Sequence, residues 1–394
     1  MRVLLLSCST GEGHNSAARA LSEALNDLGV ENEILDPIGL KNKKVRDLVS
    51  NSYNKLIQKA PIGFGMVYSI GHVYSSLPLP SPVYYANTKY VEELYNYIKD
   101  NKYDKVICTH LYCMLAMTEI NKRYEEKIPC YGVLTDYTII PFFKDAKLDG
   151  YFVPTEEIKE EFINHGIDKN LVHVTGIPVS KKFSLEISKD DAKKELGIPN
   201  YKKIVTLMSG GVGCGNILKI SQILEKELDE SYSVCVLVGK NDKLKTKLET
   251  EFGNSSIVKP IGFTSEVYKY LKSSEVVLSK PGGLSSSEIA VSNTPFIHLK
   301  EIPGCESANI KYFTSKGISM LGRSNEQIIK SVKVILNDDS VREEMIKNQT
   351  KYIKKDSSKL ILDVVLGWYY DVLLYDIYSN RIYYGKYNVF FIVT

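Results

Sequence analysis

No C-x-x-C pair occurs in this 394-residue chain, although seven cysteines (Cys8, Cys108, Cys113, Cys130, Cys214, Cys235 and Cys305) are scattered along it. An odd, dispersed set, several members of it inside apolar runs, argues against a zinc ribbon or a disulfide scaffold and suits a reducing compartment. The chain also lacks G-x-x-x-x-G-K-[ST] and a complete G-x-G-x-x-G, which argues against a P-loop NTPase and a full dinucleotide fingerprint. Asp-x-Asp is missing throughout. An enzyme that holds a diphosphate through a divalent metal usually needs such carboxylates, so neither a metal nor another cofactor is expected. No run approaches the ~18–20 clean apolar residues of a membrane-spanning helix; the best stretch, 360–378, is broken by Asp363, Asp371 and Asp376. The net charge of +3 is too small to imply a nucleic-acid partner, and none is expected.

What is present describes an ordinary globular protein, with 44% hydrophobic and 25% charged residues. Its length exceeds one comfortable core, so two domains of roughly 150–200 residues follow. Strand-like runs alternate with helical stripes, the pattern of parallel α/β sheets. The opening Met1-Arg2-Val3-Leu4-Leu5-Leu6 stops at Ser7, too short for the apolar core of a signal peptide, and reads as a buried strand over 3–7. Gly11-Glu12-Gly13-His14 follows, then a helix with Ala17, Leu21, Ala24, Leu25 and Leu28 on one stripe. Further strands are expected at 106–109, 131–134, 150–153 and 172–175, before Gly176-Ile177-Pro178. The polar stretch 180–201 reads as a linker. The rhythm then restarts with a strand at 204–208, a glycine loop over 210–215 and a helix over 216–228. Strands at 234–238, 257–259, 276–278 and 296–299 complete it. The fold class expected is therefore α/β, two Rossmann-like domains facing across a cleft. Their boundaries fall at 1–180 and 181–355, with a helix and tail of unassigned role at 356–394.

The glycine turns carry the first functional signal. Gly11 and Gly13 in one domain, and Gly210, Gly211, Gly213 and Gly215 in the other, open helices whose exposed N–H groups and positive dipole ends suit an anion, a pyrophosphate in the second case. The alternative for each is a tight βα turn without a ligand. His14 stands at the mouth of the first strand, where open α/β sheets place their ligand crevice, and can serve as a general base or as a structural residue. Lys280-Pro281-Gly282-Gly283-Leu284-Ser285-Ser286-Ser287-Glu288 follows the strand at 276–278. Its turn, its three serines and a carboxylate in the first turn of a helix suit phosphate and a ribose diol; Glu288 could instead only complement the helix dipole. Pro303-Gly304-Cys305-Glu306-Ser307-Ala308-Asn309 forms a second polar loop at the same end of the sheet, while Thr109-His110 and Thr135-Asp136-Tyr137 face it from the first domain.

The stretch 41–85 departs from this rhythm. Val45, Leu48, Val49, Tyr53, Leu56 and Ile57 share a helical face flanked by Lys43, Lys44 and Arg46, and an aromatic, proline-rich segment containing Phe64 and Tyr68 follows. Basic residues beside an apolar face suit an anionic membrane surface, and a core-packed helix with a solvated basic edge reads equally well from the pattern.

As a set, Gly11-Glu12-Gly13-His14 with Ala17-Ala18, Thr135-Asp136, Thr175-Gly176-Ile177-Pro178, Lys280-Pro281-Gly282-Gly283 and Pro303-Gly304-x-Glu306-x-x-Asn309 resemble the family of monogalactosyldiacylglycerol synthases and processive diacylglycerol β-glucosyltransferases. That family is related to the GlcNAc transferase that makes lipid II, and the likeness runs from Met1 to about Lys354. The resemblance implies a GT-B fold, an N-terminal domain that takes the lipid acceptor, and a C-terminal domain that binds a UDP-sugar for inverting transfer. By the same resemblance His14 lies near the acceptor hydroxyl, with Asp136 a base or the partner that orients one. Lys280, Gly282 and Gly283 fall in the donor loop, Glu288 holds the ribose, and the 210–215 loop with Ser285, Ser286 and Ser287 contacts phosphate. Glu306 and Asn309 contact the donor sugar. Gly11, Gly13, Lys43, Lys44, Arg46, Phe64, Tyr68 and His110 belong to the acceptor and membrane side. The implied partners are a UDP-hexose, diacylglycerol and an anionic membrane, with the protein peripheral on the cytoplasmic face. Cys305 departs from the glutamine of Pro-Gly-Gln-Glu, which leaves the sugar open. A GlcNAc transferase, a UDP-GlcNAc epimerase and a non-catalytic nucleotide-sugar-binding protein are the alternatives.

Overall fold

A computed structural model describes residues 1–8, 12–41, 71, 79–209, 216–301 and 303–367, with the backbone of 375–376 and 381–382. Lys43, Lys44, Arg46, Phe64, Tyr68, Gly11, Gly210, Gly211, Gly213 and Gly215 lie outside the described residues.

Among the described residues two six-stranded parallel sheets carry the fold, beside a short antiparallel pair of Tyr375–Asp376 with Arg381–Ile382. The first comprises β1 (Arg2–Leu6), β2 (Glu31–Leu35), β3 (Lys105–Cys108), β4 (Cys130–Val133), β5 (Gly150–Val153) and β6 (Val172–Val174), in the order β2-β1-β3-β4-β5-β6. The second comprises β7 (Lys203–Met208), β8 (Tyr232–Leu237), β9 (Val258–Ile261), β10 (Ser274–Ser279), β11 (Phe296–Leu299) and β12 (Met320–Gly322), in the order β12-β11-β10-β7-β8-β9. Central strands such as β1 and β7 are covered on both faces and so are apolar over most of their length, without polar alternation. The two strands that sequence reading passes over, β2 and β12, are edge strands. β2 reads Glu-Asn-Glu-Ile-Leu and is only partly buried, so no apolar run marks it. Pro260 is tolerated in β9 because that strand too is an edge.

The stripe Ala17, Leu21 and Leu25 of helix Glu12–Asp27 is buried, while Leu28, one residue beyond the helix end, is 41% exposed and leaves the expected stripe. The helix expected over 216–228 is Ile217–Glu227, with the Asn216 side chain accepting from Lys219 N–H at 3.3 Å as its cap. The stretch 180–201 is not a slack linker. It carries a turn of helix at Lys181–Ser184 and a helix at Lys189–Glu195, Phe183 is buried, and Ser180 Oγ donates to Glu23 Oε2 at 2.7 Å.

After the second domain the chain crosses back. Helix Ser357–Leu366 buries Ile361, Leu362, Val365 and Leu366 against Val3, Leu5, Leu21, Leu25, Ile107, Val133 and Phe152 of the first sheet's layer. The crossing is close at Gly176. Its φ of +81° favours glycine, and a Cβ there would stand 2.5 Å from Ser357 Oγ. Among the described residues no helix is long and apolar enough to cross a membrane.

Candidate active site

In each sheet one central strand has neighbours whose connections run to opposite sides, and ligands of open α/β sheets bind at the carboxyl ends beside such a strand. For the first sheet that point lies between β1 and β3, for the second between β7 and β10. His14 follows β1, Thr109 and His110 follow β3, and the 280–288 segment follows β10. The topology thus delivers the motif residues to the two crevices.

His14 is held by its Nδ1, which lies 2.9 Å from the Thr109 carbonyl oxygen and 2.8 Å from Thr135 Oγ1. A carbonyl only accepts, so the neutral ring carries its proton on Nδ1 and presents Nε2 as a bare lone pair. Burial lowers the His14 pKa below the usual 6.5, with Asp136 and the Thr109 hydrogen bond opposing that shift. The ring is therefore neutral and proton-accepting at pH 7. His110 packs edge-on against it with centroids 4.6 Å apart. Its Nδ1 accepts from Tyr112 N–H at 3.1 Å, capping helix Leu111–Arg123, and burial followed by His14 drives its pKa well down. His110 is thus a cap and a packing partner of His14.

Across the cleft, Lys280 Nζ lies 3.2 Å from Glu306 Oε1 and orients that carboxylate. Gly282 precedes helix Gly283–Val291, so Glu288 falls in its second turn and not in the first. That removes most of the dipole-complement alternative, because the effect fades beyond the first turn. The Glu288 carboxylate has no hydrogen-bond partner among the described residues, and desolvation pushes its pKa up to about 8, with Arg19 of the first domain opposing. A carboxyl group so placed can bond both hydroxyls of a diol, whose donated hydrogen bonds would favour its ionised form. Of the three serines, only Ser285 stays half-open. The Ser286 hydroxyl is spent on His298 Nε2 at 2.8 Å, and the Ser287 hydroxyl donates to Gly283 O at 2.8 Å, so the side chains of Ser286 and Ser287 do not face a phosphate. Phe263, just beyond β9, is 70% exposed with Lys240 Nζ 5.4 Å from its ring. Sequence reading did not single out Phe263, although the aromatic in Gly262-Phe263-Thr264 directly after a strand is legible in the chain.

The two halves meet at one seam. Asp136 Oδ1 accepts from Asn309 Nδ2 at 2.8 Å and from Gly283 N–H at 3.3 Å. Asn309 Nδ2 also donates to Pro281 O at 2.9 Å, and its Oδ1 accepts Tyr137 N–H at 2.8 Å. Tyr137 bonds the Ser287 hydroxyl at 2.8 Å and stacks on Tyr312 with centroids 4.7 Å apart. Gly13 faces Leu284, its would-be Cβ 3.8 Å from Leu284 Cβ. Both polar atoms of the Asn309 side chain, which the motif assigns to the donor sugar, are held by protein partners in this structure. Asp136 has one oxygen fixed by the opposite domain and acts on His14 through its charge, while Thr109 and Thr135 set the ring's orientation.

Known proteins share this design. Residues 14–179 match the family model of monogalactosyldiacylglycerol (MGDG) synthase, and residues 146–366 match that of UDP-N-acetylglucosamine 2-epimerase. The processive diacylglycerol β-glucosyltransferase of Bacillus cytotoxicus is 28% identical over 377 residues, 93% of each chain. Among solved structures, Acinetobacter baumannii MurG superimposes with a TM-score of 0.60 at 12% identity, covering 93% of this chain and 99% of its own. The UDP-GlcNAc 2-epimerase of Neisseria meningitidis bound to UDP-GlcNAc gives 0.59 at 16% identity, covering 93% and 100%. These likenesses establish the two-domain GT-B fold.

Proposed function

This chain belongs to the family of monogalactosyldiacylglycerol synthases and processive diacylglycerol β-glucosyltransferases, its C-terminal half sharing the UDP-GlcNAc 2-epimerase model, and on that premise we propose that it is an inverting glycosyltransferase. It moves a hexose, glucose in preference to galactose, from a UDP-sugar to diacylglycerol or a glycosyl-diacylglycerol. It works as a peripheral protein on the cytoplasmic face of an anionic membrane. The observation that carries this reading is the meeting of the two crevices: on one side His14, whose Nε2 has no hydrogen-bond partner among the described residues, and on the other the carboxyl group of Glu288, likewise without one among the described residues.

In the proposed step the acceptor hydroxyl oxygen attacks C1 of the hexose from the face opposite UDP. His14 Nε2 takes its proton, and the C1–O bond to the β-phosphate breaks with its electron pair leaving on UDP. The negative charge of Asp136 stabilises the imidazolium that forms. Glu288 holds the ribose hydroxyls, Phe263 offers its face to the base, and Glu306, steadied by Lys280, faces the sugar. The positive end of helix Gly283–Val291 neutralises the diphosphate without a metal. Turnover insensitive to EDTA supports that last point, and loss of turnover restored by a divalent ion removes it.

The match of residues 146–366 to the epimerase model favours UDP-GlcNAc chemistry as a second reading. One experiment separates the two: a panel of UDP-glucose, UDP-galactose and UDP-GlcNAc with diacylglycerol vesicles, and product analysis. Hexosyl-diacylglycerol supports the proposal, and epimerised UDP-sugar with no glycolipid sinks it. Co-sedimentation that ignores the anionic lipid content of the vesicles would remove the membrane claim.

A further inference from the structure

The side chain of Asn309 is fully buried and joins three backbone or side-chain groups from two loops. A carboxamide nitrogen carries two hydrogens. Both are spent, one on Asp136 Oδ1 from the loop after β4 and one on Pro281 O from the loop after β10. Its oxygen accepts the Tyr137 N–H at 2.8 Å. One side chain thus ties the acceptor-side loop to the donor-side loop. We propose that Asn309 is a positioning residue that orients Asp136 only when the two domains are closed. The step it serves rests on the glycosyl-transfer reading above; the latch itself does not.

Three further contacts close with it. Gly283 N–H reaches the same Asp136 oxygen at 3.3 Å, the Tyr137 hydroxyl meets Ser287 Oγ at 2.8 Å, and the Tyr137 ring stacks on Tyr312. All arrive from the C-terminal domain. When the domains part, both donors leave Asp136 and its carboxylate is free to turn in the open cleft. When they close, two donors fix one of its oxygens, and the charge beside His14 takes one direction. Assembly of the base's partner is thereby tied to arrival of the donor domain. This arrangement withholds the base's fixed charged partner while water fills the cleft, which disfavours hydrolysis of the donor before an acceptor is enclosed.

The test uses the full-length protein with Asn309→Ala, Asn309→Asp and the double variant Asp136→Asn/Asn309→Asp, read in two ways. In turnover, Asn309→Ala is expected to lose about 100-fold in kcat, the scale of an ångström-level misplacement, while KM for the UDP-hexose moves less than about threefold. In hydrogen exchange by mass spectrometry, the Tyr137 amide loses protection in Asn309→Ala while the amides of β1 and β7 keep theirs. The double variant returns a donor–acceptor pair across the seam, so it restores protection at Tyr137 without restoring turnover. If Asn309→Ala disturbs β1 or β7, Asn309→Asp and Tyr137→Phe replace it. The second removes only the hydroxyl bonded to Ser287 and is expected to cost about tenfold in kcat, the worth of one hydrogen bond. A raised KM with unchanged kcat makes Asn309 a sugar contact and overturns the proposal, as does an unchanged Tyr137 exchange rate. If the wild type transfers no hexose at all, the functional reading fails, and the exchange arm still decides the latch.

Discussion

Replacing Gly283 with alanine introduces one methyl group into the seam between the domains. Gly283 is the first residue of helix Gly283–Val291 and has no positive φ, so its backbone accepts alanine. The helix itself gains roughly 0.5–1 kcal/mol in propensity. The new Cβ, however, would stand 2.2 Å from Thr135 O and 2.9 Å from Asp136 Cα. Both are backbone atoms and cannot rotate away. Ordinary carbon contacts lie near 3.5 Å, so the domains must part by about 1 Å. That separation stretches three seam bonds, Asn309 to Asp136, Tyr137 N–H to Asn309 and Tyr137 to Ser287, each 2.8 Å in the closed form. At about 1 kcal/mol net apiece the closed arrangement loses about 3 kcal/mol. With tenfold per 1.36 kcal/mol, kcat falls roughly 100-fold. Affinity for UDP, which the proposed function assigns to the C-terminal domain, is expected to stay within about twofold. The assay is steady-state transfer from UDP-glucose to diacylglycerol vesicles beside calorimetric UDP binding and a thermal melt. A variant with undiminished melting temperature and kcat within about threefold of wild type would refute the reasoning, because closure across Gly283 would then be dispensable.

Three other perturbations test separate parts. His14→Ala should lower kcat by about 10²–10⁴ with UDP binding retained, and it should abolish an acidic limb that wild-type kcat/KM shows below pH 6.5, where the imidazole takes up a proton; an active variant with an unchanged pH profile removes histidine from the chemistry. Glu288 holds a proton in the folded state up to about pH 8 but releases it near 4.5 when unfolded, so its burial makes stability fall as pH rises through that window. Glu288→Gln escapes the loss, and urea unfolding should find its advantage over wild type growing by about 1–2 kcal/mol between pH 5 and 8.5, after discounting for water at the cleft; a constant difference contradicts this. Leu362→Ala should destabilise the N-terminal domain by about 2–5 kcal/mol with unchanged m, because the side chain fills the layer under β1, and a loss below about 0.5 kcal/mol would show that the crossing helix is not part of that core.

Much of the fold is written locally. Every central strand of both sheets stands out as an apolar run, since parallel strands covered on two faces need no polar alternation, and the repeated strand, glycine turn and helix announces two Rossmann-like halves. The edge strands β2 and β12 do not stand out, because half-exposed positions carry no such constraint. The site divides in the same way. His14, Glu288, Lys280 and Glu306 follow strands at their carboxyl ends, and the spacing alone brings them to a crevice. Which of their atoms are free is a different matter. Ser286, Ser287 and Asn309 look like ligands in the motif, yet their polar atoms are consumed by His298, Gly283, Tyr137, Asp136 and Pro281, partners up to 173 residues away along the chain. The sequence by itself determined the architecture and the end of each sheet where chemistry occurs, because local periodicity and turn chemistry act over a few residues. Only the tertiary structure decided which side chains face the cleft and which lock it, because hydrogen-bond capacity is used up by whatever comes within about 3 Å, and that is known only once the two domains have met.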